Sequence, residues 1–201
     1  MKMPEKRGFV RERIVRILLN NPSGDLTKYR IAKLAEAAYS WVHDFLKELE
    51  NNGLIKKTRV VKYQEIISLW KAFQITPDKK EYMVQNPLEV IKSAKLKYAL
   101  TTYAAENLVQ KYLFPSRVDF YIDPKDKTKW HKILSQQGLV GKGNTRVLIG
   151  DIHVFYNMSE KEGFKTVSIP QLVVDLLREG GPCAEAAEML IKKEEELVHR
   201  K

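Results

Sequence analysis

In YSWVHDFLKELENNGLIKK, residues 39–57, the side chains of Ser40, His43, Asp44 and Lys47 recur at helical spacing, with Tyr39 and Trp41 beside them. Hydroxyl, imidazole and ammonium groups on one helix face can donate to phosphates or to the edges of bases. Aromatic rings at the same helix start can pack on sugars or on thymine methyls. Asp44 is the odd member, because it repels phosphate unless it accepts from a cytosine amino group or pairs with a base such as Lys47. Val42, Phe45, Leu46 and Leu49 form the opposite, apolar stripe. The pattern predicts a helix that buries one stripe and offers the other to a major groove. Lys56, Lys57, Arg59 and Lys62 follow it, and Lys28 and Arg30 precede it, where each can touch the phosphate backbone.

Other constellations are thinner. A nucleotidyltransferase-like site needs a Gly-Ser turn and two metal-binding carboxylates, usually spaced Asp-x-Asp. GDIHVF supplies Asp151, but position 153 is His, and GKGN lacks the serine. Asp151 and His153 on one strand face would be two ligands, short of a metal site. GLVGKGNTR lacks P-loop spacing and reads as a hairpin or loop. His131 and His199 stand alone in sequence, and Cys183, after Pro182, has no His or Asp near it. A small buried residue is the expectation for Cys183. No catalytic residue, metal or cofactor is expected.

The chain that must hold these groups has 201 residues, 44% hydrophobic and 30% charged, enough for one large domain or two small ones. No apolar run is long enough to span a bilayer, and the start is too interrupted by charge for a signal peptide. A single cysteine excludes an internal disulfide, and a cytoplasmic location is the simplest expectation. The net charge is +10, and residues 1–80 hold 17 Lys and Arg against 9 Asp and Glu, a net of +8. Positive charge concentrated in one region suits a polyanion, because neutralising phosphates releases counterions.

Val10, Ile14, Ile17 and Leu18 predict a first helix that NNPSG ends; Thr27 caps a second carrying Ile31 and Leu34. NNG stops the third, with Gly53 in the left-handed conformation, and LIKKTRVVKY reads as strand and wing. The join AEAA has no Gly, Pro or Ser, and positions 31, 34, 38, 42, 45 and 49 also suit one unbroken helix. Length favours a break, since residues 27–52 exceed the usual helix. Ile66, Ile67, Trp70 and Phe73 predict a linker helix packing one half on the other. EYMV reads as a strand, NPLEVIKSA as a helix opened by Pro87, and YAAENLVQKYL as a helix capped by Thr101 or Thr102. RVDFYI, TRVLIG and DIHVFYN have strand composition; SIPQLVVDLLREGG and Ala184 to Val198 read as helices. The expected class is α+β: an N-terminal winged helix-turn-helix with linker helix over 1–80, then a mixed α/β domain with a small sheet over 81–201.

DLTKYRIAKLAEAAYSWVHDFLKELENNGLIKK, residues 25–57, resembles the winged helix-turn-helix of archaeal and bacterial transcription regulators, at Tyr39, Ser40, Val42, Leu46, Leu49, Gly53, Leu54 and Ile55. That resemblance favours a turn at AEAA. YALTTYAAENLV, RVDFYI and TVSIPQLVVDLL resemble the C-terminal domain of AbiEi-type antitoxins. The resemblance implies a regulator that binds double-stranded DNA, represses its own operon and has a toxin protein as a second partner. Helix-turn-helix proteins usually pair two half-sites, so a homodimer is expected. Two other readings stay open: a nucleotidyltransferase-like enzyme, and an RNA-binding protein, which would need exposed aromatics on a sheet or cleft.

Overall fold

The computed structural model describes residues 7–199, apart from the side chains of Arg7 and His199. The charged first six residues read above, and the last two, lie outside this range. The described residues form nine α-helices and a seven-stranded mixed sheet, the α+β class expected. No described helix is long and apolar enough to cross a membrane. Contacts divide the chain into two units. The first runs through Ile75 and regains residues 169–178 and those from Ala187 on; the second holds residues 76–168 and 179–186.

The first unit opens with α1 (Arg7–Asn20), α2 (Lys28–Leu34) and α3 (Tyr39–Asn51). A two-stranded ribbon, β1 (Ile55–Lys56) and β2 (Arg59–Val60), and α4 (Tyr63–Phe73) follow. Ile14, Ile17, Leu18, Ile31, Val42, Leu46 and Leu49 are buried, as their spacing predicts. The Thr27 hydroxyl accepts from the Arg30 amide at 3.1 Å and caps α2. Both α2 and α3 end in the same closure. At α3 the Gly53 amide donates to the Glu50 carbonyl and the Leu54 amide to the Leu49 carbonyl, with Gly53 at φ 68°. At α2 the Glu36 and Ala37 amides donate to the Lys33 and Ala32 carbonyls, with Glu36 at φ 54°. AEAA is therefore a turn even without glycine. Ile66, Ile67 and Trp70 of α4 are buried, and α4 packs on α1 inside this unit.

The second unit runs β3 (Asp78–Val84), α5 (Pro87–Ser93), β4 (Tyr98–Thr101), α6 (Thr102–Val109), β5 (Val118–Ile122) and α7 (Lys127–Gln136). β6 (Gly138–Val140), β7 (Thr145–Ile149), β8 (Ser159–Lys161) and β9 (Phe164–Thr166) complete it. The sheet order is β6-β3-β7-β5-β4-β9-β8, with β5–β7 and β4–β9 parallel and the other pairs antiparallel. The sheet is larger than the four expected runs, and one of those runs is not a strand. Residues Ile152–Phe155 form a 3₁₀ turn, because the Asp151 carboxylate accepts from the His153 amide and caps it. Successive β5 residues face opposite sides. Phe120 meets Trp130 of α7 at 5.0 Å, and Asp119 meets Thr102 at the start of α6.

Asp119 is fully buried and is clasped by Arg117 through two bonds of 2.6 and 2.9 Å. Arg117 and Arg146 also hold Glu179, at 2.7 and 2.8 Å. Burial pushes the Glu179 carboxyl up, but the hydrogen bonds and charges of both arginines overcome it and leave it below its ordinary value of 4.5.

α8 (Ile169–Glu179) and α9 (Pro182–His199) close the chain, and most of both belongs to the first unit rather than, as expected, to a domain of residues 81–201. The reason is a buried polar link. Arg16 of α1 is 0% exposed, and its Nε donates to Gln171 Oε1 of α8 at 2.8 Å. Its guanidinium lies 5.1 Å from the Trp70 ring centre and 3.5 Å from Glu12. Two outcomes follow. Arg16→Ala leaves Glu12 and Gln171 buried without their partner and is expected to lower unfolding stability by about 3–5 kcal/mol, read by urea denaturation. Glu179, with its folded-state value depressed, stabilises the protein above pH 4.5, and that contribution is lost as pH falls through the lowered value. Glu179→Gln should therefore melt earlier than the parent at pH 7, with the difference shrinking below pH 4.5.

Candidate nucleic-acid interface

The turn between α2 and α3 sets the outward face of both helices. Arg13 of α1 donates to the Ala35 carbonyl at 3.1 Å and lies 3.4 Å from the Glu36 carboxylate, fastening the turn from below. Phe45 is 5% exposed, between Trp41, Phe73 and the Arg11 guanidinium. With that stripe fixed, Ser40, Asp44 and Lys47 are exposed and the His43 side chain is 41% exposed.

Tyr39, His43 and a residue the sequence reading missed, Tyr29, form one aromatic row. The Tyr29 and Tyr39 ring centres are 6.5 Å apart, and those of Tyr39 and His43 6.0 Å. Tyr29 and Tyr39 are 59% and 49% exposed, so each keeps much of its ring open to solvent. The Lys33 ammonium sits 5.2 Å from the Tyr29 ring centre. The signal for Tyr29 was its place on α2, off the inward positions Ile31 and Ala32. Arg30 is exposed and Lys28 half-buried at the same helix start.

One expectation needs correction here, and one alternative resolves. Trp41 stacks on Phe45 at 5.8 Å and is half-buried, so it props the stripe rather than standing with the outward row. Asp44 pairs with His43, at 3.5 Å, and not with Lys47, because the neighbouring imidazole is the nearer donor.

The ribbon is short, with two residues per strand. Ile55 pairs with Val60 and both are buried; Lys56 pairs with Arg59 and both are exposed. Like charges directly opposite on a ribbon are destabilising, and neither has an ion-pair partner among the described residues. Lys57, at φ 59°, forms the tip, where its amide donates to the Glu50 carboxylate of α3 at 2.6 Å. Arg59 packs its backbone on Gly24, where any side chain would clash at 2.8 Å. Lys62 is exposed beyond the ribbon, 3.8 Å from Glu65.

The remaining sequence candidates fall elsewhere. Asp151 and His153 share a capped turn, not a strand face, and no three His, Cys, Asp or Glu among the described residues come together as a metal group. Two glycines of GLVGKGNTR serve packing: β6 and β7 pair with β3 on its two sides, and a Cβ at Gly138 or Gly143 would lie 2.1 or 2.3 Å from the Met83 or Tyr82 carbonyl. Cys183 is buried, and burial pushes its thiol up, away from a reactive thiolate. His131 does not stand alone, for it meets Lys80 and Tyr82. The side chain of His199 lies outside the described residues.

Comparison with protein-family models, curated proteins and solved structures finds no match for this chain. The geometry carries its own test. Phe45→Ala should cost about 3–5 kcal/mol of unfolding stability, because it empties a packed aromatic site. Ser40→Ala, His43→Ala and Tyr29→Ala should each stay within about 0.5 kcal/mol, since surface groups contribute little to the fold. Chemical denaturation of the four variants reads the difference.

Proposed function

We propose that this protein is a sequence-specific DNA-binding transcriptional regulator whose first unit works as a winged helix-turn-helix. In this reading α3 enters the major groove, with Ser40, His43 and Lys47 toward base edges and Tyr39 and Tyr29 against sugars or thymine methyls. Lys56, Lys57, Arg59 and Lys62 of the wing, with Lys28 and Arg30 of α2, take the phosphates. Asp44, beside His43, accepts from a cytosine amino group or orients the imidazole.

The observations that carry the reading are the like-charged Lys56–Arg59 cross-strand pair on the ribbon and the exposed aromatic row of α2 and α3. The like-charged pair destabilises the isolated ribbon and a nucleic acid would relieve it, its phosphates neutralising the cations while its sugars and methyls pack on the aromatic row. Charge placement supports it: residues 1–75 hold 15 Lys and Arg against 8 Asp and Glu, a net of +7 of the total +10. The resemblance of residues 25–57 and of the C-terminal stretches adds the finer proposal. The protein acts as an AbiEi-type antitoxin in the cytoplasm, represses its own operon as a homodimer, and meets a toxin protein; its second unit is regulatory rather than catalytic.

The test is fluorescence anisotropy on the duplex upstream of its own gene and on a random duplex, at two salt concentrations. Ser40→Ala and His43→Ala should weaken the preferred site by about 1–3 kcal/mol each and random DNA far less. Lys56→Ala and Arg59→Ala should weaken both duplexes alike and lower the salt slope by about one per lost phosphate contact. Unchanged affinity in all four folded variants sinks the reading. A monomeric mass on DNA removes the homodimer.

A further inference from the structure

The second unit holds a cavity with no role in DNA contact. It measures about 150 Å³ and is lined by Lys80 and Tyr82 of β3, by Lys127, Trp130 and His131 of α7, and by aliphatic side chains of the sheet such as Val147. A cavity of about this volume accommodates a benzene ring. Two cations line it, with the hydroxyls of Tyr82 and Thr128 and the His131 imidazole, and no carboxylate does. Neither lysine forms an ion pair among the described residues.

The cluster has internal order. The Tyr82 hydroxyl lies 3.0 Å and the Lys80 ammonium 3.1 Å from His131 Nδ1, so the imidazole offers that lone pair to both donors. Tyr82 is buried, and burial raises its phenol, which stays protonated at neutral pH. Lys80 gives one N–H to the imidazole and keeps two for a ligand. Exposure grades across the cavity: Lys127 is exposed, Lys80 and His131 are half-buried, and Tyr82, Trp130 and Val147 are buried. An apolar body thus fits inward while a negative group meets the ammonium ions.

We propose that this cavity binds a small aromatic carboxylate, its ring against Trp130 and Val147 and its carboxylate on Lys80 and Lys127. A flat ring fills the apolar part, and the two oxygens of one planar anion can each accept from a cation that has no counter-charge of its own. A phosphate carries the charge without the apolar body; a neutral aromatic alcohol carries the body without the charge. The binding belongs to the second unit and is independent of the DNA reading.

Isothermal titration calorimetry of the full chain, without DNA, tests it with benzoate, benzyl alcohol and inorganic phosphate as probes. Benzoate should bind at one saturable site and shift the indole N–H resonance of Trp130, with the other two probes at least about tenfold weaker. Lys80→Met and, separately, Lys127→Met should each weaken benzoate by about tenfold or more, the loss of one charge-assisted hydrogen bond. Circular dichroism checks that each variant folds, and exposed Lys127 decides the case should Lys80→Met unfold. No saturable benzoate binding, phosphate binding as tight as benzoate, or folded lysine variants that bind like the parent would each overturn the proposal.

Discussion

A fully buried arginine organises the first unit. Taking a guanidinium out of water costs several kcal/mol, so Arg16 persists only because each side of it is answered. Glu12 stands one helical turn before it, the Trp70 ring lies against it, and Gln171 accepts from its Nε. Gln171 in turn donates to the buried Asp175, which Arg178 also holds at 2.6 Å. Burial drives the Glu12 carboxyl upward, and the Ile75 amide and Arg16 only partly offset it. No apolar contact would tolerate a shift of α8 along α1 as badly as this chain of donors and acceptors. Helices α1 and α8 are thereby held in one fold.

The second unit solves the same problem around a carboxylate. Asp119 lies inside the sheet, where an unpaired charge would be prohibitive, and Arg117, Arg146 and the Thr102 hydroxyl converge on it. Thr102 reaches Asp119 from a left-handed backbone at φ 46°, a costly conformation for a β-branched residue. The hydrogen bond and the start of α6 hold it there. Strain at this point is thus a consequence of keeping the buried charge satisfied.

The contrast with the surface of α2, α3 and the ribbon is what gives that surface meaning. Arg16 and Asp119 in the interior are each met by opposite charge, while Lys56, Arg59 and Arg30 are left to solvent and two tyrosines stay open. A chain able to neutralise Arg16 and Asp119 so completely leaves these cations exposed where an external polyanion can reach them. The proposed role in DNA binding rests on that difference more than on the number of positive charges.

Periodicity in the sequence determined α1, α3, α4 and the inward stripe Val42, Phe45, Leu46 and Leu49, because a helix buries every third or fourth residue whatever surrounds it. Local chemistry determined the Thr27 cap, the Gly53 stop and the helix opened by Pro87, since each acts within one turn. Tertiary structure decided the rest. The AEAA turn needs Arg13 from another helix to hold a glutamate in a glycine-like conformation. Trp41 turned inward once Phe45 was there to stack on, and Tyr29 joined Tyr39 only when the turn brought two helices together. The return of α8 to the first unit depends on a partner 155 positions away, Gln171 for Arg16. DIHVFYN shows the limit in the other direction: strand composition yielded to one aspartate that caps a turn. Spacing along a chain records what a residue does within its own element; which element it meets is set by burial and by the pairing of charges that burial forbids to stand alone.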